Sequence, residues 1–437
     1  MSARARRVVI VGGGFAGLAC AKALRHAPVD VTLVDRRNHH VFQPLLYQVA
    51  TAALSPAQIA APIRAVLRGQ RNTRVVLGDV TAVDAAGGAI ALSHGGGLAF
   101  DYLVLAAGAA HSYFGHDDWS RHAPGLKSIE DALEIRRRFL LAFEEAERTP
   151  DPELRAALLT FVIVGAGPTG VELAGAFKEI ALTTIRRDFR SIDTRDTRVV
   201  LVEAMDRVLP SGFPGPLSDR ALRDLRAMGV DVRLLTRVTH VDGAGVTLEA
   251  GGASSRIAAR NVLWAAGVRA SGLGASLGVP LDRAGRVVVR PDLSVPGYSC
   301  VFVAGDLAHA SDQLGVQVPG MAPGAMQMGA FVGRIIMAEV TAGGGGSAPA
   351  RPAFRYVDKG TLATIGRARA VAHVMGGNFG GFPAWLFWVL LHIAYLISFR
   401  AKLLVFVDWV WSYVTFGRGA RLITGGTEGE SRTTLSP

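Results

Sequence analysis

Cysteine is nearly absent from the sequence: Cys20 and Cys300 are the only two in 437 residues, and neither belongs to a C-x-x-C. That excludes a disulfide scaffold, a cysteine-built zinc site and a dithiol redox centre. It predicts two buried apolar cysteines in a reducing compartment, and no metal site is expected. No run of five Lys or Arg occurs, and no nucleic-acid motif. The formal net charge of +11 therefore points to an anionic membrane surface or an anionic ligand, with no nucleic acid. No apolar run reaches the roughly 20 residues that span a bilayer. Behind Arg4, Arg6 and Arg7 the apolar run Val8 to Val11 ends at the first glycines. It falls short of the roughly seven residues a signal peptide needs, so export is not expected. The length suffices for two to three domains with full cores.

Glycine, in contrast, is plentiful (52 residues), and its placement is informative. Val8 to Val11 runs into Gly12, Gly14 and Gly17; Phe161 to Val164 runs into Gly165, Gly167 and Gly170. Each is an apolar strand, then G-x-G-x-x-G, then a helix of small residues. The first Gly permits the tight turn, the second lets backbone approach a pyrophosphate, and the third packs helix on strand. The phosphates would sit at a helix N-terminus, where free N–H groups and the dipole favour anions. One such motif is weak, but these copies match in further landmarks. Val31 to Val34 ends in Asp35, and Val199 to Val202 ends in Glu203. A carboxylate there can accept from a ribose 2′-OH and repels a 2′-phosphate, which favours FAD and NADH over NADPH. The segment Tyr102 to Gly108 parallels Val262 to Gly267, lying 96 and 102 residues beyond the respective first glycines. Glu203 lies farther from its glycines than the usual spacing of about 20 residues, with Lys178 to Arg198 as a lengthened helix and loop between. Two dinucleotide sites in one chain imply electrons passing between them.

The expected fold class is α/β: two Rossmann-like dinucleotide-binding domains, one discontinuous, plus a C-terminal membrane-associating helical segment. Cys300 to Asp306 reads as a strand rejoining the first sheet, with Asp306 at its carboxyl end, where a flavin ribityl chain could be bonded. The first domain is then 1–115 with 297–342, and the second 116–296. Gly343 to Pro349 reads as a linker, and Phe354 to Met375 as strands within an extension over 351–378. Residues 379–417 carry Trp385, Trp388, Trp409 and Trp411, four of the six Trp. Two apolar stretches, Trp385 to Ser398 and Leu403 to Phe416, are interrupted by Arg400 and Lys402. They read as amphipathic helices lying in a membrane interface, with a buried hairpin or a homodimer interface as competing readings. Residues 418–437 read as a disordered tail.

The chain resembles the type II NADH dehydrogenases, single-subunit, non-pumping NADH:quinone oxidoreductases, over nearly its whole length. The resemblance rests on Asn38 to Gln48, Gly170 to Gly175, Trp264 to Val268, Val303 to Asp306, Pro319 to Gln327, Asp358 to Gly366 and the Trp-rich tail through Arg418 to Thr424. It implies non-covalent FAD on the first repeat, lined by Gly12, Gly13, Gly14, Phe15, Ala16, Gly17, Asp35, Arg36, His39, Gln43, Val80, Gly108, Gly305 and Asp306, with Ala322 and Lys359 near its ring. It implies NADH on the second, held by Gly165, Gly167, Pro168, Thr169, Gly170, Glu203 and Gly267. Glu172, Lys359 and Gln327 are the implied catalytic residues, with Gln327 at the shared quinone and nicotinamide region. Relatives often carry a second Gln at the next position; here it is Met328, which puts quinone contacts there in question. Arg207, close behind Glu203, could weaken the preference for NADH. The implied partners are a membrane quinone and the bilayer surface. The implied location is peripheral, on the cytoplasmic face of the inner or plasma membrane. A sulfide:quinone reductase would need paired cysteines near the flavin, and Cys20 sits in the first dinucleotide-binding helix instead. A flavin reductase for a soluble acceptor leaves the Trp-rich segment unexplained, and an NADH-dependent sensor leaves Glu172, Gln327 and Lys359 without a task.

Overall fold

The computed structural model describes residues 4–342, 350–415, 417 and 419–424. The expected linker at Gly343 to Pro349 and the tail beyond Thr424 lie outside the described residues, as do Phe416 and Arg418. The chain divides into two compact units: residues 1–41, 60–111 and 268–359, and residues 42–59, 112–267 and 360–437. This division differs from the sequence expectation in assigning 42–59 and 112–115 to the second unit, and 268–296 and the start of the extension, 351–359, to the first. Val268–Ala270 pairs antiparallel with Ala109–His111 inside the first unit, and the change of unit falls directly after His111 and directly before Val268.

In the first unit, strand β1 (Arg6–Val11) leads into helix α1 (Phe15–Ala23) and strand β2 (Val29–Asp35). The six-stranded sheet runs Ser294–Val295, Tyr298–Val303, Tyr102–Leu105, β1, β2, Thr73–Leu77. β1 lies parallel to β2 and to Tyr102–Leu105, with Val8 opposite Val31 and Tyr102. Tyr298–Val303 joins parallel beside Tyr102–Leu105, so a segment some 200 positions downstream of Tyr102 completes the first sheet. The strands are continuous apolar runs because both sheet faces are covered: Val8, Ile10, Leu33 and Leu103 are fully buried. Cys20 is buried in α1, whereas Cys300 is only half-buried, since it lies in the outward half of its strand.

The second unit repeats the plan. Strand β3 (Thr160–Val164) leads into helix α2 (Pro168–Glu179) and strand β4 (Arg198–Val202). Its sheet runs Val230–Arg233, β4, β3, Asn261–Trp264, all parallel. Between α2 and β4, a π-helical turn (Ile180–Thr184) and a loop take up the extra residues. Buried Lys178 steadies this excursion by donating its Nζ hydrogen to the Thr197 carbonyl at 2.6 Å.

Strand β5 (Thr361–Gly366) opens a three-stranded antiparallel sheet with Arg369–Val374 and Gly377–Gly380. Strand structure begins later than the expected Phe354. The alternation there is real, with Phe354 and Tyr356 both buried. However, the backbone is held by a bond from Phe354 N–H to the Pro291 carbonyl at 2.7 Å, not by a ladder. Helices α3 (Phe382–Tyr395) and α4 (Phe399–Thr415) follow. Arg400 and Lys402 fall inside α4 and do not separate two helices; the break comes at 396–398. Ser398 Oγ accepts the Ala401 N–H at 3.0 Å as a cap, and Lys402 Nζ bonds the Ala394 carbonyl at 2.8 Å, where a cation complements the end of α3.

α2 lies unusually close to β5. A Cβ on Gly175 would overlap the Ile365 carbonyl oxygen, backbone that cannot swing away. Gly175→Ala is therefore expected to destabilise the fold by about 1–3 kcal/mol, read as a lowered thermal midpoint. An unchanged midpoint would show that this approach is not tight.

Candidate active site

At the first cradle the chain turns sharply out of β1. Gly12 adopts φ +105°, and a Cβ there would meet the Ala106 carbonyl; one on Gly17 would meet the Gly12 carbonyl. A Cβ on Gly14 would meet nothing within 4 Å. The two outer glycines thus serve the turn and the helix packing, and the middle one faces open space at the start of α1. Asp35 fixes the loop: its Oδ2 accepts the Gly13 N–H at 2.5 Å and its Oδ1 the Arg37 N–H at 2.7 Å. His40, which the sequence reading left without a role, is buried and bonds the Gly13 carbonyl through Nδ1 at 3.0 Å. Phe15 meets that imidazole edge-on at 4.9 Å. Burial pushes the His40 pKa down, so the ring stays neutral. His39 Nε2 is buried with no hydrogen-bond partner.

The second cradle repeats these devices. Gly165 has φ +98°, a Cβ on Gly170 would meet the Gly165 carbonyl, and Gly167 faces open space. Glu203 plays the part of Asp35 despite its distance in sequence: Oε2 accepts the Ala166 N–H at 2.7 Å and Oε1 the Met205 N–H at 2.9 Å. Gly108 and Gly267 both take positive φ at the ends of equivalent strands. Pro168 and Thr169 form the first turn of α2, where a missing proline N–H costs nothing. Arg207 is paired with neighbouring Asp206 at 3.7 Å.

Glu172 stands about one turn into α2. It lines a cavity of about 100 Å³ shared with Tyr47, Gln48, Thr364, Trp388, Trp409 and others from α3, α4 and β5. Removal from bulk water pushes its pKa well above the usual carboxyl value, opposed only by the Thr364 backbone hydrogen bond. Glu172 keeps some exposed surface, and that surface belongs to the cavity it lines. Burial thus disfavours the charged form of this carboxyl group. Across the cavity runs a polar chain: Trp409 Nε1–H donates to Gln48 Oε1 at 2.7 Å, and Gln48 Nε2–H donates to Tyr47 Oη at 2.9 Å. Trp388 is 2% exposed and stacks on His392, whose pKa burial lowers to about 4.

Asp306 lies in a short helical turn after Tyr298–Val303, and Gly305 N–H donates to the sulfur of Met328 at 3.3 Å. Met328 is 2% exposed in the first unit's core, so the position questioned for quinone contact points inward. Ala322 begins the helix Ala322–Ala342, and Val80 is a half-buried strand residue. The Gln327 amide is occupied by backbone, donating to the Val357 carbonyl and accepting the Val357 N–H, both at 2.9 Å. It thus clamps the segment leading to exposed Lys359 and is not free to turn elsewhere. Gln43 is exposed, with its amide 3.5 Å from the Lys127 carbonyl, and Arg36 is exposed. Tyr47 and Gln48 of the Asn38 to Gln48 motif, and Trp388 and Trp409 of the expected interface helices, all line the cavity.

The model of the pyridine nucleotide-disulphide oxidoreductases matches residues 6–329, and that of the NDH2 C-terminal domain matches 359–419. The chain is 48% identical over 430 residues to the type II NADH:quinone oxidoreductase Ndh of Mycobacterium tuberculosis, covering 96% of this chain and 91% of that protein. It is 29% identical to an internal alternative NAD(P)H-ubiquinone oxidoreductase A1 of Arabidopsis thaliana, covering 94% and 84%. Among solved structures, NDH2 of Plasmodium falciparum in complex with NADH superposes with TM-score 0.87 at 20% identity, covering 95% and 99%, which establishes the shared fold.

The raised Glu172 pKa has a sign that can be tested. Between the ordinary carboxyl pKa and the raised one, the folded protein holds a proton that the unfolded chain has released. Stability then falls as pH rises through that window. Glu172→Gln removes the ionisable group, so the variant should gain thermal midpoint relative to the parent at about pH 8 and gain little at about pH 5. Equal midpoint differences at both would contradict a raised pKa.

Proposed function

The chain belongs to the type II NADH:quinone oxidoreductases, a branch of the pyridine nucleotide-disulphide oxidoreductases, and we propose that it binds FAD non-covalently, oxidises NADH and reduces a membrane quinone without pumping protons. One observation carries the reading. A single helix, α2, has a dinucleotide cradle at its N-terminus and, about one turn on, an acid that lines an aromatic-walled cavity where burial disfavours its charge.

The first cradle fits a flavin dinucleotide. Gly14 leaves room for a pyrophosphate where α1 presents its free N–H groups, Asp35 is held to receive a ribose, and the orphaned His39 Nε2 lacks a partner that a ligand would supply. Bound there, the flavin supplies the two-electron step that takes hydride from NADH and passes electrons to quinone. The protein positions and protonates. Glu203 is held where a ribose 2′-OH is welcome and a 2′-phosphate is repelled, favouring NADH. Glu172 carries a proton at the cavity wall that a quinone oxygen can receive. Gln327 holds the Lys359 segment, whose cation favours negative charge developing beside it.

Quinone reaches the cavity from a lipid surface. Leu403, Phe406, Val407, Val410, Trp411 and Val414 of α4 are exposed, an apolar face of a kind usually buried against something. No helix among the described residues is long and apolar enough to cross a membrane. The exposed apolar face of α4 supports the reading in which α3 and α4 lie along the bilayer surface, and in our proposal that surface is the cytoplasmic face.

Purified protein released from its flavin by denaturation should yield intact FAD. The loaded protein should oxidise NADH rapidly only with a short-chain quinone present, and NADPH far more slowly. Flavin reduction without quinone turnover would sink the reading. The double variant Val407→Glu, Val410→Glu alters only exposed side chains. It should bind anionic phospholipid vesicles at least about tenfold more weakly while still turning over a water-soluble quinone. Undiminished vesicle binding would remove α4 as the docking face.

A further inference from the structure

Between α2 and β4 the chain carries more residues than the usual spacing of about 20 from glycines to acid requires. The surplus is held firmly. Phe189 stacks against buried Phe143 at 5.8 Å, and Thr194 Oγ1 donates to the Ala181 carbonyl at 2.6 Å. Glu147, in the last turn of helix Ile129–Arg148, accepts the N–H groups of Arg190 and Ser191 at 2.9 Å and of Ile192 at 3.2 Å. From this fixed loop Arg186, Arg187 and Arg190 stand exposed. The loop's acids are engaged elsewhere: Asp188 pairs with Arg421, Asp193 with Arg195, and Asp196 lies beside Lys178. Among the described residues none of the three arginines enters an ion pair. Three like charges gathered on the surface repel one another and contribute no packing, so the fold itself has no need of them.

The loop flanks the C-terminal end of α4. Arg367 joins the two: its N–H donates to Glu179 Oε2 at the end of α2 at 3.0 Å, and its guanidinium lies 4.1 Å over the Tyr413 ring of α4. Beyond α4, Arg421 meets Asp188 of the loop itself. The apolar surface continues to this point, with Val414 72% exposed and Leu422 65% exposed. At the other end of α4, about 20 Å along the helix, stands exposed Arg400. Basic groups thus bracket an apolar face, the arrangement that matches headgroups around acyl chains.

We propose that Arg186, Arg187 and Arg190 form a headgroup site for anionic phospholipids. This loop of the dinucleotide-binding unit then docks on the bilayer beside α4 and makes the docking selective for anionic lipid. The assignment rests on the bilayer reading above and extends it to residues outside the C-terminal helices. The exposed apolar side chains of α4 cannot tell one headgroup from another, and its own Lys402 and Asp408 are bonded to the Ala394 carbonyl and to Gln58. A guanidinium, in contrast, presents a planar fork that two phosphate oxygens accept together. An acidic protein would match the charges alone, whereas lipid matches both the charges and the adjoining apolar rim.

The test measures binding of the full-length, flavin-loaded protein to two kinds of vesicle: phosphatidylcholine alone, and phosphatidylcholine mixed with phosphatidylglycerol. One triple variant, Arg186→Ser, Arg187→Ser, Arg190→Ser, removes the site. A second, Arg64→Ser, Arg68→Ser, Arg71→Ser, removes the same charge from exposed positions of the first unit. The first should bind the anionic vesicles at least about tenfold more weakly and the neutral ones within about twofold of the parent. The second should stay within about threefold of the parent on both, and both variants should turn over a water-soluble quinone as the parent does. Equal losses in the two variants would assign the effect to net charge, and a first variant that kept its anionic preference would exclude the loop; either overturns the headgroup site. A parent that bound both vesicles alike would overturn it too and leave the bilayer reading intact. A parent that bound neither would remove both.

Discussion

The structure depends on how one backbone N–H is satisfied where each Rossmann strand turns into its helix. The residue after the first glycine, Gly13 in one unit and Ala166 in the other, points its N–H inward, away from both sheet and helix ladders. A carboxylate from the end of the neighbouring strand accepts it in both places, Asp35 in the first and Glu203 in the second. Leaving such a donor unpaired costs about 1–3 kcal/mol, so the acid secures the turn before any ligand arrives. The other oxygen of each acid takes a second backbone N–H, from Arg37 and Met205. Each oxygen retains a lone pair, which is what a ribose hydroxyl would use. One side chain therefore meets a folding constraint and a recognition task, and the glycines between can open onto phosphates because the loop is pinned from beneath.

What was legible in the sequence is what is local. A strand of four apolar residues, three glycines at fixed spacing and an acid at the next strand's end are neighbours in the chain, and the structure reproduces them twice. Glu203 looked misplaced by its spacing. The π-helical turn after α2 and the loop to β4 absorb the surplus, and the carboxylate reaches the same N–H. The return of Tyr298–Val303 to the first sheet was also readable, because its strand and terminal Asp306 repeat the pattern of a sheet's carboxyl edge.

The rest depended on contacts that no local pattern carries. Gln48 and Trp409 are 361 positions apart, and only the folded second unit brings them into a hydrogen bond. Aromatic residues scattered through two apolar helices suggest a membrane interface; which of them turn inward depends on what packs against them. Trp388 is buried and Trp409 half-buried, whereas Trp411 is 65% exposed. The same limit applies to Gln327. The resemblance gave it a place at the quinone and nicotinamide region, and only the fold shows that its amide is matched to the backbone of Val357 thirty positions on. Gly175 looked like one more small helix residue until Ile365 was seen against it.

The cavity explains why an acid is tolerated where apolar surroundings penalise charge. An ionised carboxylate among Trp388, Trp409 and Tyr47 would be costly, and the raised pKa of Glu172 lessens that cost by favouring the neutral form. Held in place by α2, that proton is also a fixed distance along the helix from the second cradle, set by helix geometry and not by a flexible loop. The opposite wall is α4, whose line Ala401, Val405, Trp409 and Ser412 is the more buried side while Leu403, Val407, Val410 and Val414 stay exposed. A seat this narrow contributes little packing, and polar bonds do much of the holding: Trp409 to Gln48, Asp408 with Gln58, and Arg367 with the Tyr413 carbonyl. The helix can therefore keep its apolar side for lipid. Within one unit, the exposed apolar side of α4 and the cavity that Glu172 lines therefore stand back to back on one helix.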